Sequence, residues 1–76
     1  MTTQPHSVGV VPPITLGLRI RAAREHAGLE QGELAERAGV ARGTLGAAER
    51  GQRTPPLDTL ESIAKALQVS ASALLQ

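Results

Sequence analysis

Cysteine is absent from the 76-residue chain, and so are phenylalanine, tyrosine and tryptophan. The first absence removes disulfide bridges and thiolate zinc sites as supports for a small fold, and it is compatible with a reducing cytoplasm. The second leaves the core to aliphatic side chains alone. Long apolar runs are missing too. Arg, Glu or Gly interrupts them every few residues, so neither a membrane span nor a signal peptide is expected. No alternating β-branched run lies between turn dipeptides, which argues against β-hairpins and for an all-α fold. Charge of one sign is scarce, and a net charge of +1 selects no partner by itself. Metal-ligand spacing is lacking as well. His6 and His26 have no suitably placed ligand or nucleophile partner and no glycine-rich phosphate loop follows a strand, so no metal, cofactor or enzymatic activity is expected.

What is present organises into an arm and one domain. A chain this short cannot divide its core, so a single domain is expected, with residues 1–14 as a flexible arm and 15–76 as the folded unit. The arm, "MTTQPHSVGVVPP" and Ile14, is rich in proline and lacks helical periodicity. Helical spacing begins at Thr15, read as an N-cap. Leu16, Ile20, Ala23 and Ala27 fall on one face, Arg19 and Arg21 on a solvated one, and Gly28 followed by Leu29 reads as a left-handed stop. A second helix over Gln31–Ala38 turns Leu34, Ala35 and Ala38 inward and stops at Gly39. A third over "ARGTLGAAER" stops at Gly51, and the polar loop "GQRTPP" leads into a fourth over Leu57–Leu67. There Leu60, Ile63, Ala64 and Leu67 form the clearest apolar stripe of the chain. Asp58 complements the dipole of that helix, and Ser70 caps a short terminal helix.

Gln31 to Arg50 thus holds two short helices across a tight glycine-containing turn. Together with "GLEQGELAERAGV", "ERGQRTP" and "LDTLESIAKALQV", this string resembles the phage repressor and Cro-like (XRE-type) helix-turn-helix family from about Leu16 to Leu74. The resemblance implies a compact five-helix, lambda-repressor-like domain that places its third helix in the major groove of duplex DNA. Seven of the eight basic residues are arginine, the side chain suited to bidentate recognition of phosphate and guanine. Carried over residue by residue, the resemblance implies that Gln31 meets the DNA backbone and Arg42 reaches a base edge. Thr44 touches a phosphate or supports the helix start, and Arg50, Gln52, Arg53 and Thr54 line the phosphate backbone. It also implies a structural ion pair between Arg24 and Glu49.

The third helix departs from the family pattern. Its repeat turns Leu45 and Ala48 to the core and Arg42, Gly43, Gly46, Ala47 and Arg50 outward, so the face that should read bases is nearly bare. Gly43 and Ala47 stand where the family usually has polar readers. Close backbone approach, contact of Ala47 with a thymine methyl, or DNA shape are the physical replacements. Glu30 and Ala41 occupy N-cap positions without the usual Ser or Thr. Ala23 and Ala48 are small for their core positions, so either the helices approach closely or the "VGVV" run or Ile14 fills the gap. The expected function is that of a small cytoplasmic regulator, a Cro-type or phage-type repressor occupying an operator as a homodimer. The length leaves no expected room for a sensor domain. Leu75, the terminal helix or the apolar arm are candidate dimer contacts. The alternative is a protein-interaction module, binding a toxin, polymerase or another regulator through the bare helix face.

Overall fold

The computed structural model describes residues 11–76. Five helices make up the fold: α1 (Pro13–His26), α2 (Gln31–Ala38), α3 (Arg42–Glu49), α4 (Leu57–Leu67) and α5 (Ala71–Leu75). There is no strand among the described residues, and none of these helices is long and apolar enough to cross a membrane. His6 and most of the "VGVV" run lie outside the described residues.

Thr15 is not the N-cap of the first helix. Pro12 holds that place with extended backbone, its carbonyl accepts from the Leu16 N–H at 3.0 Å, and Pro13 is the first helical residue. Proline suits the position because the N–H it lacks has no partner inside the helix. Leu16 and Ile20 are buried and Ala23 is half-buried, whereas Ala27 lies past the last turn and is exposed. Arg19 also departs from the solvated role expected of it. It donates to the Leu74 carbonyl at 3.3 Å and so ties α1 to the end of α5, while Arg21 pairs with Glu25 at 3.1 Å.

Without Ser or Thr ahead of it, α2 starts by another device: a Glu33 carboxylate oxygen accepts from the Glu30 N–H at 2.8 Å. Ala41 supplies no side-chain cap to α3. At its other end, Gly51 with φ 73° lets the Gln52 N–H return to the Ala47 carbonyl at 3.0 Å and the Gly51 N–H to Ala48 at 3.1 Å. The Ile14 backbone packs against this turn, 2.7 Å from where a Cβ on Gly51 would stand. The same closing pattern ends α4, where Gln68 takes φ 61° without being glycine, and Val69 donates to Ala64 at 3.0 Å. Ser70 Oγ accepts from the Ala73 N–H at 3.0 Å and starts α5.

One core joins all five helices: Leu16 and Ile20 of α1, Leu34 and Ala35 of α2, Leu45 and Ala48 of α3, the α4 stripe, and Leu74 of α5, with Leu29 between α1 and α2. Close approach compensates for the small side chains. A Cβ on Gly17 would stand 2.5 Å from the Glu49 carbonyl oxygen and collide with that of Ala48. Only glycine lets α1 lie this near the end of α3. Ile14 does not fill the gap, since it is 61% exposed, while Val11 packs at the core edge.

Candidate nucleic-acid interface

The close contact of α1 with α3 brings Arg24 to Glu49. Arg24 Nε donates to Glu49 Oε2 at 2.6 Å and its Nη2 to Oε1 at 3.0 Å, while Nη1 donates to the Leu29 carbonyl at 3.0 Å. Gln31 adds a further donor, Nε2 to Glu49 Oε1 at 3.2 Å. The two ionised side chains are 13% and 4% exposed. The hydrogen bonds that Arg24 donates to Glu49 raise the Arg24 pKa above its ordinary value, so the cation persists. The network locks the start of α2 and the end of α3 to α1, which fixes how α3 projects from the surface. Every buried side-chain nitrogen and oxygen among the described residues has a partner, so α3 is held without an unsatisfied group.

Outward, α3 and the loop after it enclose a shallow concavity of about 340 Å³, lined by Gly43, Thr44, Ala47, Gln52 and Arg53. These lining residues contribute a guanidinium, an amide and a hydroxyl, and no carboxylate. Arg42 is exposed at the start of α3, its Cδ and Nη1 each 3.9 Å from where a Cβ on Gly32 would lie, so its side chain lies along α2. Arg50 is exposed at the other end and donates from Nη2 to Gln52 Oε1 at 3.3 Å. Thr54 is exposed, and the buried Pro55 after it pins the loop to the domain.

Gly46 is not on the bare face. It is buried, with Gln31 and Arg50 lying over it. Helical repeat alone places residue 46 beside residues 42 and 50, but the side chain of Gln31, arriving from α2, covers it. The structure therefore gathers Gly43, Thr44, Ala47, Gln52 and Arg53 in one concavity, flanks it with Arg42 and Arg50, and sets Gln31 at its edge, joined to the Arg24–Glu49 pair. Three features carry no signal in a helical wheel: the Gly17 contact, the Arg19 bond to α5 and the Gln31–Glu49 bond. The burial of Pro55 is the one missed anchor with a local cue, a proline pair at a helix entry.

Two short helices meeting across Gly39, Val40 and Ala41, the second presenting an exposed face continuous with a basic loop, define a helix-turn-helix domain. The helix-turn-helix family model matches residues 20–74, and the chain belongs to that family. It is 50% identical over 58 residues to an uncharacterized HTH-type transcriptional regulator of Mycobacterium tuberculosis, spanning 76% of this chain and 41% of that protein. It is 42% identical over 62 residues to the immunity repressor of Bacillus phage phi105, spanning 82% of this chain and 43% of the repressor. The chain thus spans about two fifths of the length of these relatives. Among solved structures, the P22 c2 repressor in complex with a synthetic operator superposes with a TM-score of 0.76 and 34% identity, over 80% of this chain and 92% of that one.

Proposed function

We propose that this chain is a cytoplasmic, sequence-specific transcriptional regulator of the repressor type, which occupies an operator in duplex DNA as a homodimer with α3 in the major groove. The observation that carries this reading is the carboxylate-free concavity between α3 and its loop, flanked by Arg42 and Arg50. Arg42, at the first exposed turn of α3, donates two hydrogen bonds to a guanine edge. Thr44, Arg50, Gln52, Arg53 and Thr54 meet the phosphates on either side, and Gln31 meets the backbone from the start of α2. Gly43 and Ala47 admit close approach of α3 to the base edges, with the Ala47 methyl placed for apolar contact with a thymine methyl. The repressor–operator structure it resembles supports this docking. The Arg24–Glu49 pair orients α3 and stays out of the interface.

The bare centre of α3 also favours a second reading, docking of a protein partner on Gly43 and Ala47. Salt dependence separates the two. With two phosphate-facing guanidiniums per protomer in a dimer, log K should fall against log salt with a slope of about −4. A slope near zero for whatever partner is captured favours the protein-partner reading.

A further inference from the structure

Gly43 and Gly46 stand on the same helix in opposite surroundings. A Cβ at Gly43 would meet nothing within 4 Å, whereas one at Gly46 would stand 3.0 Å from Arg50 Nη1 and 3.3 Å from Gln31 Oε1. Both neighbours are the ends of side chains rather than backbone. Gln31 comes from the start of α2 and Arg50 from the cap of α3, so polar groups of two elements converge over one bare α-carbon. The amide is oriented chemically: the Glu49 carboxylate only accepts, so the Gln31 NH₂ turns toward it and Oε1 toward Gly46. One N–H of that NH₂ is left to donate elsewhere. On the other side, Gln52 Oε1 steadies the Arg50 guanidinium at 3.3 Å. The nearby carboxylate, Glu49, is neutralised by Arg24.

We infer that Gly46 is a positioning residue. Its missing side chain is the seat on which Gln31 and Arg50 lie together, and the seat presents an amide and a guanidinium as a paired donor set for one backbone phosphate of duplex DNA. A charged donor beside a neutral one, with no free carboxylate between them, suits an anionic oxygen. The inference rests on the DNA-binding reading and adds to it the reason for a glycine at this turn of α3. Any side chain at residue 46 pushes the guanidinium and the amide apart while leaving the helix itself better formed, because alanine is the stronger helix former.

The test compares wild type, Gly46→Ala, Arg50→Ala and the double variant, titrated by fluorescence anisotropy. The probes are a labelled duplex selected by the wild type from a random pool and the unselected pool itself. Gly46→Ala should keep or raise Tm, shift the side-chain amide signals of Gln31 in the ¹H–¹⁵N spectrum of the free protein, and weaken binding to both probes roughly tenfold. In the Arg50→Ala background the same substitution should cost much less, because its partner is already gone. Unchanged affinity, an unmoved Gln31 amide or full additivity with Arg50→Ala overturns the inference while leaving the DNA reading in place. A wild type that binds neither probe overturns the DNA reading itself.

Discussion

Arg42 and Arg53 are both exposed arginines of the candidate interface, and the proposed docking gives them different work. Arg42 lies along Gly32 from the first turn of α3, where the proposed docking puts a base edge, whereas Arg53 belongs to the loop wall of the concavity. Arg42→Ala should therefore relax preference at one base pair, by about 1 to 3 kcal/mol, and leave Tm unchanged. Arg53→Ala should weaken binding evenly across sequences and flatten the salt slope, by about 1 for each protomer. Titration of both variants against the selected duplex and its single-base variants checks this. Identical behaviour of the two would remove the distinction. Glu49 makes a third case, because its carboxylate serves Arg24 and Gln31 at once. Glu49→Ala strands a nearly buried guanidinium and should lower stability by about 3 to 5 kcal/mol, a large part of what a small domain has. Replacing Arg24 and Glu49 together with apolar side chains of similar volume should recover most of that loss. Urea unfolding of the two proteins measures the difference.

At the scale of elements, the left-handed turns that end the helices set local stability. Gln68 holds φ 61° where α1, α2 and α3 each turn at a glycine, and a non-glycine residue there costs roughly 1 to 2 kcal/mol. Part of that is offset by the greater freedom of glycine in the unfolded chain, so Gln68→Gly should stabilise by about 0.5 to 1 kcal/mol. Thermal unfolding should show Tm higher by about 2 to 8 °C. A lower Tm would mean that the Gln68 side chain makes a contact worth more than the strain. The same elements show what periodicity reveals. The limits of α2 follow from apolar spacing and a glycine stop, and those of α4 from apolar spacing and the prolines ahead of it, signals that lie in or beside each segment. The start of α1 was hidden because Pro12 and Pro13 resemble the end of a proline-rich arm as closely as the opening of a helix. The cap of α2 was hidden because the acceptor for the Glu30 N–H is the Glu33 carboxylate, three residues into the helix.

The tertiary features were the least legible, and Gly17 and Gly46 show why. At each, the residue matters for what another helix brings to it: the α3 carbonyls over Gly17, and the Gln31 side chain over Gly46. A helical repeat contains neither neighbour. The residues of the candidate interface were legible because the resemblance covers most of the chain and its motifs are contiguous. Their grouping into one concavity depends on Gly51, which turns the loop back along α3.

For the molecule as a whole, the proposed function requires that the sparse face of α3, framed by arginines and repeated across a dimer, reads a DNA sequence. The most direct measurement is selection of sites from a random duplex pool at physiological salt, read by sequencing. The expected result is an enriched pseudo-palindrome with half-sites about one helical turn apart, guanine under Arg42 and tolerance at the base pairs facing Gly43. Recovery of no enriched sequence, with binding that ignores base composition, would contradict it.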